Sequence, residues 1–166
     1  MRSHWALSTN LVHWAALAHN LGIEYAFDSR NTLSLSGSCA WWSWLSKQKV
    51  YRWMVGELAY HHYLQDRKEP SGAFWGIYAQ TGEFELMFSS RNRKGEFSAA
   101  GISGGYRWQI GRNLFMEAEA GLAYMYVDYR HALDINHVLI RQGSDHCHRI
   151  LPSRISLSLV YKFNKL

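Results

Sequence analysis

The sequence predicts an all-β fold, an eight-stranded antiparallel up-and-down transmembrane β-barrel. Apolar and polar residues alternate with a period of two in segments bounded by polar turns, which is typical of β-strands. No run approaches the roughly 18 to 20 consecutive apolar residues of a membrane-spanning helix, whereas a spanning strand needs about 9 to 11. Aromatic residues make up 15% of the chain and charged residues 19%, so many large side chains need an apolar environment. Residues 1–166 suit a single barrel domain.

The first half of the chain supplies four predicted strands. Strands one and two, at 4–12 and 21–28, alternate regularly. After a turn at 28–31, strand three sets Leu33 and Leu35 against a polar face. That face comprises Thr32, Ser34, Ser36 and Ser38. Strand four, at about 50–60, alternates poorly, so its place between neighbouring strands defines it.

The second half supplies the other four. Strands five and six are predicted at about 73–81 and 96–110, and a tight turn at 111–113 leads into strand seven. Strand eight, at 153–163, alternates most clearly. Its apolar face comprises Ile155, Leu157, Leu159, Tyr161 and Phe163. Its polar face comprises Arg154, Ser156, Ser158 and Lys162. An even number of strands suits a closed barrel.

The polar face predicts which side of the sheet points inward. It is built largely of Gly, Ser, Ala and Thr, whereas the water-facing side of a soluble barrel would carry many long charged residues. The interior of an eight-stranded barrel is just wide enough for side chains to fill, so small residues leave room for a few large polar ones. We predict a paired charge network that closes the lumen. Its members are Glu24, Glu57, Arg107, Glu117, Glu119, Arg154 and Lys162.

Aromatic residues near the predicted strand ends indicate the girdles of an outer-membrane barrel. They are Trp5, Trp41, Trp42, Trp44, Trp53, Tyr60, Tyr126, Tyr129, Tyr161 and Phe163. The predicted connections agree, because those after strands two and six are tight while those after strands three, five and seven are long. The last of these spans about 130–152. The connection from His61 to Gly72 is longer than this pattern expects.

Nearly the whole chain resembles a Bacteroidetes family of small outer-membrane β-barrel proteins, domain of unknown function 3575. The similar stretches are Thr9–Leu11, Asn20–Tyr25, Leu33–Gly37, Ala100–Trp108, Ala123–Tyr129 and the proline-led Pro152–Leu157. Glu57 stands where the family usually has a glutamate. Family members often have a cysteine-rich loop between the last two strands, where this chain has Cys147 alone. The resemblance implies an outer-membrane barrel and brings no assigned reaction or ligand.

The loop expected between strands seven and eight offers the main candidate ligands. It contains His131, His137, Asp145, His146, Cys147 and His148. A solvated or partner-contacting loop is favoured over metal binding, because adjacent ligands on a flexible loop form a poor cage. Catalysis by Ser144, Asp145 and His146 is favoured least, because consecutive residues rarely converge on one substrate atom.

Two residue pairs carry further alternatives. Glu117 and Glu119 lie two apart on one strand, and pairing with Arg107 is favoured over a catalytic carboxylate pair. Cys39 and Cys147 are both expected at the outer side, where a disulfide is the less favoured alternative. We therefore assign no catalytic residue, no metal and no cofactor.

The function expected is structural or accessory rather than enzymatic. The barrel would anchor extracellular loops that contact a partner in an envelope complex or surface fibre, in contact with outer-membrane lipid. Val160–Phe163 is similar to the signal that the barrel assembly machinery reads, and scattered Lys and Arg argue against nucleic acid. The start at Met1 shows no signal peptide, so we expect one to have been removed. The alternatives are a barrel enzyme acting on lipid or peptide, and a soluble lipocalin-like carrier.

Overall fold

Alternating side chains produce strands throughout the chain, and the computed structural model is a closed barrel in which each strand pairs with the next and the last pairs with the first. It describes residues 4–44, 49–88, 91–135 and 138–163, and the side chains within 4–41, 52–85, 95–128 and 148–163. The elements are β1 (Trp5–Asn10), α1 (Leu11–Ala15), β2 (His19–Ala26), β3 (Asn31–Trp44), β4 (Lys49–Tyr63), β5 (Gly72–Phe88), β6 (Arg91–Gln109), β7 (Leu114–Ile135) and β8 (Val138–Lys162). The eight antiparallel strands confirm the predicted all-β, eight-stranded up-and-down barrel.

The wall of the barrel is uneven in height. β1 and β2 have 6 and 8 residues, whereas β7 and β8 have 22 and 25. The prediction of long connections after strands three, five and seven was wrong, because most of those residues extend the strands. Those residues do not alternate regularly in the sequence, yet the ladder still satisfies backbone N–H and C=O groups. The end of the barrel at which β3 to β8 continue past the short strands β1 and β2 is called the extended end.

Helix α1 lies at the extended end, beside the short strands. The Asn10 side chain caps it by accepting a hydrogen bond from the Val12 N–H at 3.0 Å. The helix contacts β8 above the point where β1 ends. Among the described residues, no helix is long and apolar enough to cross a membrane.

The opposite end, here called the turn end, holds the compact connections. Phe27 N–H donates to Asn31 at 2.9 Å, and Gly111 N–H donates to Leu114 at 3.0 Å. The Asp28 carboxylate accepts hydrogen bonds from the backbone N–H groups of Arg30 and Asn31 and from the Asn31 amide. These donors hold the pKa of Asp28 below its ordinary value, the Asn31 side chain most strongly.

The outward face is apolar around the circumference. Aliphatic residues occupy its middle, and three of them, Leu21, Ile102 and Ile155, are about two-thirds exposed at 64%, 67% and 66%. Aromatic residues lie toward the turn end on the same face. They include Trp5, Phe27, Trp75, Trp108, Tyr161 and Phe163. Trp41 and Tyr126 lie outward toward the extended end.

The prediction that Trp53 belongs to the outward aromatic residues was wrong. Trp53 lines the internal cavity, because β4 places residues 53, 55, 57, 59, 61 and 63 inward. The side chains of Trp42, Trp44 and Tyr129 lie outside the described residues. Tyr60 lies outward, as expected, and its hydroxyl donates to Asn31 at 2.6 Å.

The inward face combines small residues with a few large ones. Ala59, Ala99 and Ala123 pack around Tyr78. Gly101 has no room for a side chain, since a Cβ there would lie 2.2 Å from the Leu122 carbonyl oxygen. Small residues therefore make the space that the lumen charges occupy.

Candidate functional site

The charged side chains of the lumen form two groups, and the first lies near the turn end. Arg107 Nη1 and Nη2 donate to the two oxygens of Glu24 at 2.7 and 2.5 Å, and Arg107 Nε donates to Glu117 Oε2 at 2.6 Å. The Tyr63 hydroxyl also donates to Glu117 at 3.1 Å, while its ring lies 5.1 Å from the guanidinium carbon. We call these four residues the Arg107 cluster. All are buried, and the guanidinium forms charge-assisted bonds on two sides.

The second group lies nearer the middle of the lumen. Arg154 Nη2 is 3.0 Å from both Glu57 and Glu119, and its guanidinium carbon lies 5.1 Å from the centre of the Tyr78 ring. His61 Nε2 is 3.3 Å from Glu119 Oε1. We call Arg154, Glu57, Glu119 and His61 the Arg154 cluster. Gln80 adds a hydrogen bond to Glu57 at 2.6 Å.

Glu117 and His61 connect the two clusters. A nitrogen of His61 and carboxylate oxygens of Glu117 and Glu119 all lie within 4.8 Å of one another. Six of the seven residues predicted for the network thus meet in the lumen: Glu24, Glu57, Arg107, Glu117, Glu119 and Arg154. The expectation that Arg107 pairs both glutamates holds for Glu117, while Glu119 pairs with Arg154 and His61.

Lys162 differs from the other six. It forms its ion pair with Glu69, from the connection between β4 and β5. That connection folds back over the turn end, where Pro70 and Ser71 are buried. It therefore helps to close this end of the lumen, which explains why it is longer than an ordinary turn.

Above the clusters lies a cavity of about 310 Å³. Hydroxyl and amide groups line one wall, with Ser8, Asn20, Ser34, Ser36 and Ser38 among them. The opposite wall is more apolar and comprises Trp53, Val55, Phe97 and Met125. Charged residues of both clusters, Glu24, Glu57, Glu117 and Arg154, also line it together with His61. The cavity is therefore polar on one side and at the clusters.

A serine and a histidine meet at the upper part of this cavity. His13 Nδ1 and Ser38 Oγ are 2.8 Å apart, and Asn20 Nδ2 donates to the same Ser38 oxygen at 2.7 Å. Burial lowers the pKa of His13, which favours its neutral form. In a serine hydrolase the third residue orients the base, whereas Asn20 contacts the serine. The contacts are those of a structural hydrogen-bond group that fastens α1 to β3.

Sequence reasoning missed His61, Tyr63, Tyr78 and Glu69. The first two lie on β4, where period-two alternation is weakest, and Glu69 lies in a connection. His61 lies four residues after Glu57, so the two side chains point to the same inward face of β4. This even spacing is the signal that could have identified His61.

The candidates expected in a loop between strands seven and eight lie largely outside the described side chains. This holds for His131, His137, Ser144, Asp145, His146 and Cys147. His148 lies on β8, and its Nδ1 is 2.7 Å from the Tyr124 hydroxyl. Cys39 is an exposed free cysteine on β3.

Residues 2–163 match the model of a protein family that is described as a protein of unknown function (DUF3575). The chain belongs to the DUF3575 family. No curated protein and no solved structure matches the sequence. The function is therefore argued from the distribution of side chains.

Proposed function

We propose that this DUF3575 barrel spans the outer membrane as a structural or accessory protein whose lumen does not conduct. The observation that carries the proposal is the inverted distribution of polarity. Large apolar side chains point outward around the circumference, while the buried charges point inward. A soluble protein rarely exposes an apolar patch larger than a few hundred Å².

The order of residue types along the outward face supports contact with lipid. Aliphatic residues such as Leu35, Ile77 and Leu122 lie at mid-height, and aromatic residues lie toward the ends of the strands. This order matches the apolar band and aromatic girdles of outer-membrane barrels. Tyr161 near the end of β8 and Phe163 just after it point outward. This arrangement suits insertion by the barrel assembly machinery.

The two clusters support a closed lumen. Arg107 is bonded to carboxylates from β2 and β7, so it crosses the barrel interior near the turn end. Tyr63, Phe74 and Phe115 are buried at the same end. An ion would have to break these contacts in order to pass, so we expect no steady conductance in a planar lipid bilayer.

The extended end supports an accessory role. β7 and β8 continue about 20 residues past the top of β1, which pairs with β8 at Asn10 and Ser158. A hairpin of that height would reach beyond the membrane surface. We propose that it contacts a protein partner in an envelope complex or surface fibre.

Depth-dependent substitutions test the membrane proposal. Ile102→Arg, at mid-height, should cost about 2–4 kcal/mol of stability in lipid, whereas Ile110→Arg, near the turn end, should cost about 0–1 kcal/mol. Both isoleucines are exposed, so in a soluble barrel both changes would be close to neutral. Urea unfolding in vesicles measures the difference. Equal small losses, or recovery of the protein in the soluble fraction after osmotic lysis, would reject the proposal.

A shortened hairpin tests the accessory role. Asp128 and His146 face each other in register, so an Asn-Gly turn can replace residues 129–145. Purification from native membranes in mild detergent, followed by mass spectrometry, should recover a protein with the full chain that the shortened variant lacks. If both chains recover the same proteins, the hairpin is not the contact surface.

A further inference from the structure

We propose that His61, Glu117 and Glu119 bind one divalent first-row transition-metal ion inside the lumen, between the Arg107 and Arg154 clusters. One imidazole and two carboxylates are a ligand set suited to Mn²⁺, Fe²⁺ or Zn²⁺. The proposal concerns the lumen and does not depend on where the barrel resides.

The sheet geometry brings these side chains together across the lumen. Glu117 and Glu119 lie two residues apart on β7 and share its inward face, while His61 reaches over from β4. Gly76 of β5 is the register partner of His61, and a Cβ at Gly76 would lie 2.7 Å from His61 Cδ2. Glycine at this position therefore gives the imidazole its space.

The polar atoms at this point are unusually short of partners. His61 is 1% exposed, yet among the described residues neither ring nitrogen has a hydrogen-bond partner. Both oxygens of buried Glu119 likewise form no hydrogen bond among the described residues, although Oε1 lies 3.3 Å from His61 Nε2 and Oε2 lies 3.0 Å from Arg154 Nη2 as ion pairs. Buried polar groups are nearly always bonded, so such a group of atoms points to a missing ligand.

The charge balance points to a cation. Glu24, Glu57, Glu117 and Glu119 face two guanidinium groups, which leaves a formal charge of −2 when His61 is neutral. Lys162 does not change this balance, because its ion pair is with Glu69. A buried excess of negative charge is costly, and one divalent ion would neutralise it.

The spacing allows coordination after small movements. Metal–ligand distances of about 2.0–2.2 Å place ligand atoms roughly 3–4 Å apart, and the three atoms here lie within 4.8 Å of one another. Each atom would move by less than about 1 Å. Glu119 Oε1 faces His61, away from the oxygen that contacts Arg154, so the ion need not displace that arginine.

Metal titration of the full chain in detergent tests the proposal. After treatment with a chelator, the protein is equilibrated with Mn²⁺ or Zn²⁺, desalted and analysed for bound metal and for its unfolding temperature. We expect about one ion per chain and a higher unfolding temperature at saturation. A wild-type chain that retains no metal overturns the proposal.

Variants locate the ion. His61→Gln and Glu119→Gln should each weaken binding more than about tenfold. His62→Gln is the matched control, because His62 is the next residue on β4, points outward and contacts Asn31. Equal affinity in the His61 and His62 variants would place the ion elsewhere. If a variant fails to fold, the electron paramagnetic resonance spectrum of Mn²⁺ added to the wild-type protein decides whether the ion binds. Mn²⁺ bound in a protein site must give a broader signal than the free aqueous ion.

An imidazolium form of His61 is the competing explanation, since it would supply one positive charge without a metal. It predicts that the metal-free protein takes up a proton at His61, visible by NMR, and that added Mn²⁺ or Zn²⁺ leaves the unfolding temperature unchanged. That pair of results would overturn the metal site while leaving the barrel intact.

Discussion

The Arg107 and Arg154 clusters each join one arginine to two glutamates, but their hydrogen bonds differ in completeness. Arg107 bonds two carboxylates with good geometry and is 3% exposed, whereas Arg154 is 10% exposed at the side chain and its Nη1 has no partner among the described residues. The first cluster closes the turn end, whereas the second lies nearer the middle of the lumen, and residues of both line the cavity. A fully satisfied polar network makes a fold rigid, whereas a partly satisfied one leaves buried polar atoms without partners.

Replacing Arg107 should give the largest effect. Arg107→Met leaves Glu24 and Glu117 buried without their cation, so we expect the free energy of unfolding to fall by about 3–5 kcal/mol. Urea unfolding in vesicles measures this loss. Adding Glu24→Gln and Glu117→Gln to the same chain should restore most of it. A loss under about 1 kcal/mol would show that this cluster does not stabilise the barrel.

The corresponding change at Arg154 should cost less. Arg154→Met also removes a partner from two carboxylates, but the Glu57 side chain is 16% exposed, against 6% for Glu24 and Glu117, so water can solvate it better. We expect a loss of about 2 kcal/mol under the same conditions. Equal losses for the two arginine variants would contradict the distinction between the clusters.

A smaller effect is expected where a glycine makes room for His61. At Gly76→Ala the new Cβ would lie 2.7 Å from both His61 Cδ2 and the Tyr60 carbonyl oxygen, and we expect a loss of about 1–2 kcal/mol from overpacking. Gly37→Ala is the matched control, because nothing lies within 4 Å of its Cβ position. The two alanine variants should therefore differ in thermal unfolding, and identical curves would mean that His61 is not confined.

The smallest effect concerns a carboxylate outside the lumen. The exposed Asp28 has a lowered pKa, so the stability it contributes is present above its ordinary pKa near 4 and is lost as the pH falls through the lower folded value. Because solvent screens the site, Asp28→Ala should cost no more than about 0.5 kcal/mol at pH 7. The difference from wild type should vanish toward pH 2. A difference that persists there would not come from the charge.

Sequence periodicity could predict the strands that have one polar and one apolar face. Ile155 to Phe163 alternates without interruption, and the structure places those apolar residues outward. The charged residues of the lumen could also be predicted, since Glu24, Glu117 and Arg154 are large charged residues on strand faces that otherwise carry small ones. Arg107 faces Glu117 because β6 and β7 are neighbours, whereas its contact with Glu24 of β2 crosses the lumen.

Three features could not be predicted, each for a physical reason. On β4 the inward face, which carries Trp53 and His61, mixes apolar, polar and charged residues. Alternation of polarity therefore does not show which face of this strand points inward. Glu69 reaches Lys162 from a connection, which has no periodicity. Apolar and polar residues do not alternate regularly over about 130–152, so the sequence predicts a loop there, although the described parts of β7 and β8 pair as far as Ile135 and Val138.

The short β1 has a consequence for how the barrel assembles. Its seam with β8 joins residues as far apart as Ala6 and Lys162 through five described pairs, while β7 and β8 share 22 described pairs across one hairpin. Closing the longest chain loop for only five described pairs is entropically unfavourable until the other strands are in place. The seam should therefore form last during folding. Amide protons of Leu7 and Thr9 should exchange with solvent sooner than those of Glu117 and Glu119.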